Sequence, residues 1–156
     1  MKTIVVPVDF SDVTNAMIEK AVEMARTFSC SLTLIHVVEP EPDFVDYTPG
    51  PEVMREMVAE DLRQERHRLH ELAAQLRATG LDVVGRVRRG PAVDRILEVV
   101  EEVKPDLLVL GSHGHGALYD LLVGSVAEHV LRKVTCPVVV VPSRYAERRA
   151  GPEEKP

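Results

Sequence analysis

The stretch "DLLVLGSHGHGALYDLLVGS", residues 106–125, carries most of the information in this chain about its fold and its chemistry. Residues 106–110 form an apolar run typical of a strand that is covered on both faces. Four glycines follow within residues 111–125. Because glycine has no Cβ and adopts positive φ readily, consecutive backbone N–H groups can approach an anion closely there. The segment is therefore either a phosphate-binding loop or an ordinary turn before a helix.

Other apolar runs predict four more strands. Three of them are short, β-branched and without clean alternation, at residues 3–8, 32–38 and 136–141. The run 82–88 differs because Arg86 and Arg88 alternate with Val87. That pattern is typical of an edge strand with one solvated face.

Apolar residues at three- and four-residue spacing predict a helix between each pair of runs. The helices are expected at about 12–28, 51–79 and 91–103, with a last one from about residue 124. Ser11 is the expected N-cap of the first helix, Gly80 the stop of the second, and Pro91 the first helical residue of the third.

The alternation of strands and helices predicts a doubly wound α/β domain, with a five-stranded parallel sheet and helices on both faces. We expect one domain over residues 1–142 and a mobile tail over 143–156. Two strand orders fit, 3-2-1-4-5 and the flavodoxin-like 2-1-3-4-5. Ligands of such sheets bind outside the carboxyl ends of the strands where the order reverses. The first order brings Asp9 beside Gly111, so the position of the glycine-rich segment favours it.

Charge and composition exclude several classes of protein. The 156 residues have a formal net charge of −6, which argues against a general nucleic-acid binder. Cys30 and Cys136 lie far apart, which indicates neither a disulfide framework nor a zinc site. The apolar run that ends at Asp9 is too short for a signal peptide or a membrane span, so we expect a cytoplasmic protein.

The chain resembles the ATP-binding universal stress proteins. The pattern Gly111-x2-Gly114-x9-Gly124-Ser125 is similar to their nucleotide-binding pattern. "IVVPVDFSD" resembles their first strand and turn, "LIHVV" their second strand, and "PDLLVLGSHG" their fourth. "GSVAEHVLRKVTCPVVVV" resembles their last helix and strand. The resemblance covers residues 1 to about 142 and implies the fold predicted above.

The resemblance also implies an ATP site. The triphosphate is expected across Gly111, Gly114, Gly124 and Ser125. The adenine and ribose are expected near Pro7, Val8, Asp9 and Val37. Ser112, His113 and Val126 complete the candidate site. Asp9 would accept hydrogen bonds from ribose or adenine, with capping of the first helix as its alternative role, and Val37 would act through its backbone.

The histidines are weaker candidates. His113 and His115 could donate to phosphate, but a histidine in a surface loop is more often solvated. His36 is expected to be a packed residue at a strand end rather than a ligand. We assign no structural metal, although Mg²⁺ is expected to accompany ATP through phosphate oxygens and water.

The function implied is a regulatory protein of the stress response whose ATP occupancy sets its conformation or assembly, with an unidentified downstream partner. The alternative is a slow ATPase or phosphotransferase that uses the same crevice. The chain has no G-x4-G-K-[ST] loop and no obvious base, so we assign no catalytic residue and expect very slow hydrolysis at most. The continuous valines of the last strand predict a homodimer paired through residues 137–141.

Overall fold

The structure is a computed structural model and describes residues 2–39, 51–112 and 124–142. Strands and helices alternate along these residues. They are β1 (Thr3–Pro7), α1 (Asp12–Phe28), β2 (Ser31–Val38), α2 (Pro51–Ala78), β3 (Val83–Arg89), α3 (Ala92–Val103), β4 (Leu107–Gly111), α4 (Ser125–Leu131) and β5 (Val138–Val141). The expected tail, residues 143–156, lies outside the described residues.

The strands form one parallel sheet in the order β3-β2-β1-β4-β5. The predicted order 3-2-1-4-5 is confirmed, and the flavodoxin-like alternative is wrong. The arginine-bearing strand β3 is an edge, as its alternation predicted. Arg86 Nη1 and Arg88 Nη2 both bind Glu102 Oε2 of α3, at 2.9 and 3.0 Å. Strand β1 therefore lies at the centre, between β2 and β4.

Helices cover both faces of the sheet because consecutive strand residues point to opposite sides. Leu34 of β2 is fully buried on the face that packs against α1 and α2, together with Leu69 of α2. Ile35, the next residue, is fully buried on the opposite face with Val99 of α3 and Val130 of α4. Burial of each such side chain contributes about 1.5–3 kcal/mol.

The predicted helix ends are close to the observed ones, with one correction. Gly80 has a φ of +87° just after α2, as expected of a residue that ends a helix. Pro91 is not the first helical residue. Its ψ of 127° is extended and its carbonyl accepts the first helical hydrogen bond, from Arg95 N at 3.1 Å, so Pro91 is the N-cap. No helix in the described residues is long and apolar enough to cross a membrane.

Candidate functional site

The carboxyl ends of β1 and β4 lie side by side, since the two strands pair in register through Val5 and Leu108. Helix α1, which follows β1, packs on one face of the sheet. Helix α4, which follows β4 in the chain, packs on the other face. The connections therefore diverge at this point, which is where an open parallel sheet forms its ligand crevice.

The two sides of the glycine-rich segment meet at the end of β4. Gly124 N–H donates a hydrogen bond to the Ser112 carbonyl, and Ser112 N–H donates to the Val141 carbonyl at 2.9 Å. Gly111 is half-buried and Ser112 is fully buried. Gly111 and Gly124 thus lie close together, while His113 and Gly114 lie outside the described residues.

Helix α4 begins at the same place. Gly124 is its N-cap, with no side-chain capping bond, and the Gly124 carbonyl accepts from Glu128 N at 2.9 Å. Ser125 and Val126, the first two helical residues, are exposed. Backbone N–H groups in the first turn of a helix have no intrahelical acceptor. Because Gly124 N–H is already bonded to Ser112, the exposed donors for a ligand here are those of Ser125 and Val126.

Asp9 has a structural role at the start of α1. Its Oδ1 accepts hydrogen bonds from Ser11 N–H at 3.0 Å and from Thr14 Oγ1 at 3.1 Å. Ser11 occupies the N-cap position of α1, but its hydroxyl makes no capping bond. Ser11 is thus the N-cap residue as predicted, and the side chain that bonds to the first turn is the Asp9 carboxylate, through Thr14 Oγ1. Asp9 is nevertheless exposed at the crevice.

The peptide groups of Val37 face the crevice. In a parallel ladder, successive residues of a strand bond alternately to the two neighbouring strands. Ile35 O accepts from Val8 N at 2.8 Å on the β1 side, and Val38 O accepts from Gly90 N at 3.0 Å on the β3 side. The N–H and C=O of Val37 must therefore point toward β1, beyond its last paired residue.

The carbonyl that would continue this ladder is already bonded elsewhere. In regular pairing Val8 O would accept from Val37 N–H, but it lies 2.7 Å from Nδ1 of His36. Within the described residues no backbone bond joins Val37 N–H to Val8 O. The end of the sheet thus presents one donor and one acceptor of the same residue to a ligand.

One carboxylate of helix α4 has a shifted pKa. A hydrogen bond from Arg132, together with the positive charge of Arg132, lowers the pKa of Glu128 in α4. Glu128 is therefore an anion at neutral pH. Among the described residues, no three histidine, cysteine or carboxylate side chains are grouped so that they could hold a metal ion.

Comparison with known proteins identifies the family. The model of the universal stress protein family matches residues 1–142. This chain belongs to the universal stress protein family. A universal stress protein of Methanocaldococcus jannaschii is 33% identical over 141 residues, covering 90% of this chain and 81% of the relative.

Solved structures of universal stress proteins have the same fold. UspA of Lactobacillus plantarum superposes with a TM-score of 0.76 at 24% identity, covering 90% of this chain and 97% of UspA. A universal stress protein in complex with cAMP superposes with a TM-score of 0.60 at 27% identity, covering 91% of this chain and 97% of that one. Membership of the universal stress protein family, which the sequence predicted, is confirmed.

Proposed function

We propose that this universal stress protein binds ATP in the crevice between β1 and β4, and that occupancy sets its conformation or assembly in a stress response. Two groups of residues would share the ligand. The nucleoside end consists of Pro7, Val8, Asp9 and Val37. The phosphate end consists of Gly111, Ser112, His113, Gly114, Gly124, Ser125 and Val126.

The Val37 peptide groups carry the proposal. The Watson–Crick edge of adenine offers N1 as an acceptor beside an N6 amine that donates. The backbone N–H and C=O of Val37 have the complementary pair of roles. Guanine reverses the pattern, with a protonated N1 and an O6 acceptor. The crevice is therefore suited to adenine rather than guanine.

Asp9 and the phosphate end would hold the rest of the nucleotide. Two hydrogen bonds to Oδ1 fix the orientation of the Asp9 carboxylate, which would accept from ribose hydroxyls. The exposed start of α4 offers the Ser125 hydroxyl and two backbone donors to phosphate oxygens. Mg²⁺ would be held by the phosphate oxygens and water, in the manner common for this ion.

The solved relative in complex with cAMP supports an adenine nucleotide as the ligand. Cyclic AMP contains adenine and ribose, which the nucleoside end would bind, and one phosphate group. That relative is 27% identical and matches 91% of this chain.

Assembly would involve strand β5, at one edge of the sheet. Strand β5 pairs with β4 on one side, and Val138, Val139 and Val140 are half-buried. An unpaired apolar edge tends to associate with another strand. A homodimer through residues 137–141 would cover it. Light scattering at micromolar concentration should give the mass of a dimer with and without ATP, and a stable monomer would contradict this part of the proposal.

The function is tested by identifying what the purified protein holds and what it binds. Nucleotide released by acid and identified by mass should be an adenine nucleotide. Calorimetry of nucleotide-free protein should then show saturable binding of ATP, with weaker binding of adenosine and of tripolyphosphate, since each engages one end of the site. Absence of ATP binding to the folded protein at millimolar concentration would refute the proposal.

A further inference from the structure

A cluster of four side chains lies directly behind the nucleoside end of the crevice. It consists of Phe10, His36, Glu65 and Arg68, which we call the His36 cluster. His36 is buried, with 8% of its surface exposed, so the expectation of a packed histidine at the strand end is confirmed. Its position beside Val8 and Val37 gives it more than a packing role.

The His36 ring donates a hydrogen bond to the Val8 carbonyl. A carbonyl oxygen accepts hydrogen bonds and cannot donate, so Nδ1 carries the proton in the 2.7 Å contact with Val8 O. In a regular β1–β2 ladder, Val8 O would instead accept a hydrogen bond from Val37 N–H. The ring thereby satisfies Val8 and leaves the Val37 peptide groups to face the crevice.

Glu65 of α2 holds the other edge of the ring. Its Oε2 lies 3.2 Å from Nε2 of His36. Among the described residues this buried oxygen has no hydrogen-bond partner, so its contact with His36 is close but not hydrogen-bonded. The Nδ1 edge of the ring is therefore bonded to Val8 O, and the Nε2 edge lies against Glu65.

Phe10 and Arg68 restrain the ring from the side. The Phe10 ring lies 4.9 Å from the His36 ring, centroid to centroid, and the Arg68 guanidinium lies 4.0 Å from the centroid of Phe10. Phe10 has a φ of +57°, which a residue with a bulky side chain rarely adopts and which costs free energy. Contacts with His36 and Arg68 stabilise this conformation, in which the chain leaves the sheet directly after Asp9.

We propose that His36 is a positioning residue that gives the crevice its selectivity for adenine, by holding the Val8 carbonyl and so exposing the Val37 peptide groups. The inference rests on the proposed nucleotide function and adds a residue to it that does not touch the ligand. Loss of the Nδ1 donor would let Val37 N–H bond to Val8, and the donor that reads N1 of adenine would be lost.

Two nearly isosteric variants separate this role from packing. In His36→Asn the amide nitrogen can take the place of Nδ1, because both are attached to Cγ. In His36→Gln the amide lies one atom farther out, near the position of Nε2. Both variants remove the ring and keep a polar amide, so they perturb packing to a similar degree. They differ in one respect: the amide N–H of Asn can donate to the Val8 carbonyl, whereas that of Gln cannot.

The readout is the ratio of ATP affinity to GTP affinity, measured by calorimetry on folded, nucleotide-free protein. Removal of one or two hydrogen bonds to the base should lower this ratio about tenfold in His36→Gln. His36→Asn should keep the ratio within about twofold of the parent, which lies inside the error of such differences. Tripolyphosphate affinity should be unchanged in both. An equal fall in the two variants, or no fall in His36→Gln, would overturn the proposal.

The same experiment distinguishes two kinds of failure. If the parent does not bind ATP, the proposed function fails and the role of His36 fails with it. If the parent binds ATP with selectivity over GTP and His36→Gln retains that selectivity, the function stands and the positioning role is wrong.

Glu65 offers a second and smaller effect with a matched control. Glu65→Ala should lower the ATP-to-GTP ratio in the same direction as His36→Gln, because the ring loses the contact at its Nε2 edge. Glu60→Ala removes a carboxylate from the same helix that pairs with Arg63 at the exposed surface. It should leave the ratio unchanged, and an equal effect of the two alanine variants would contradict the role of Glu65.

A measurement on the parent protein tests the proposal even if neither histidine variant folds. Long-range ¹H–¹⁵N NMR spectra show which ring nitrogens of a histidine carry protons. His36 should be protonated at Nδ1. A ring protonated at Nε2 alone could not donate to Val8 O and would overturn the proposal.

Discussion

The two ends of the proposed site are built in different ways. At the nucleoside end, side chains position the backbone, because the buried His36 ring bonds to Val8 O and the half-buried Glu65 side chain contacts that ring. At the phosphate end, the backbone bonds to itself, as Gly124 does to Ser112. An added side chain should therefore damage the phosphate end by collision, whereas loss of a side chain should damage the nucleoside end.

The largest effect is expected from a side chain added at the phosphate end. Gly114→Val should abolish ATP binding, because a branched Cβ would collide with a phosphate that the backbone must approach. Calorimetry on protein shown to be folded by circular dichroism measures the loss.

Gly116→Val is the matched control for that substitution, since Gly116 lies in the same glycine-rich segment but outside the Gly111-x2-Gly114-x9-Gly124-Ser125 pattern. It should retain ATP binding. If folded Gly114→Val binds ATP as tightly as the parent, the glycines are turn residues and the phosphate end is wrongly assigned.

Removal of one donor at the phosphate end should have a graded effect. Ser125→Ala removes one hydroxyl bond to a charged group, about 1.5–3 kcal/mol, so ATP affinity should fall roughly 10- to 150-fold. Adenosine, which has no phosphate, should bind the variant and the parent equally. A matching loss for adenosine would show that Ser125 acts on the fold rather than on phosphate.

At the nucleoside end, Asp9→Ala should weaken ATP and adenosine alike. A fall of about tenfold is expected, near the lower limit for a bond to a charged group, because the carboxylate is exposed. The free energy of unfolding should also fall by about 1 kcal/mol, since Oδ1 bonds to the first turn of α1.

Asp9→Asn separates these two losses. Its carbonyl oxygen can still accept from Ser11 and Thr14, so stability measured by urea unfolding should recover. Nucleotide affinity should stay reduced because the charge is gone. Full recovery of affinity in Asp9→Asn would leave Asp9 with a capping role alone.

The smallest effect is expected at the amino ends of β1 and β4, at the end of the sheet opposite the crevice, and a substitution there serves as a control. Asp106 Oδ2 accepts from Lys2 N–H at 2.6 Å and from Thr3 N–H at 3.0 Å, and these bonds, that from Lys2 foremost, lower the pKa of Asp106. A lowered carboxyl pKa stabilises the folded protein above the ordinary pKa of 3.8, and this stabilisation is lost as the pH falls through the folded-state value.

Urea unfolding at pH 7 and pH 3 measures this contribution. The stability difference between the parent and Asp106→Asn should be larger at pH 7 than at pH 3. ATP affinity of Asp106→Asn at pH 7 should equal that of the parent. A fall in ATP affinity would mean that destabilising the sheet far from the crevice also weakens nucleotide binding, so the losses at Asp9 and Ser125 would not be specific to the site.

The strands and their order are easier to predict from the sequence than the His36 cluster is, for a physical reason. The strands, their order and the glycine spacing depend on local pattern, and Arg86 and Arg88 alone mark β3 as an edge. The His36 cluster depends on a contact with α2, distant along the chain, so nothing near His36 in the sequence indicates that Glu65 faces it.

Capping depends on such contacts too. The sequence places Ser11 correctly at the N-cap of α1, but cannot show that the Asp9 carboxylate bonds to the first turn instead. The predicted start of α3 at Pro91 is one residue too early for a similar reason. Glu39 Oε1 accepts from Ala92 N–H at 3.1 Å at the start of α3, which no local pattern predicts.

Hydrogen exchange at one amide tests the central claim most directly. In the nucleotide-free protein, Val37 N–H faces the crevice without a strand partner, whereas the ladder to β1 includes Ile35. Amide exchange followed by NMR should be much faster at Val37 than at Ile35, and addition of ATP should slow Val37 while leaving Ile35 unchanged. Equal protection of the two amides without ligand, with no change at Val37 on saturation with ATP, would contradict the account.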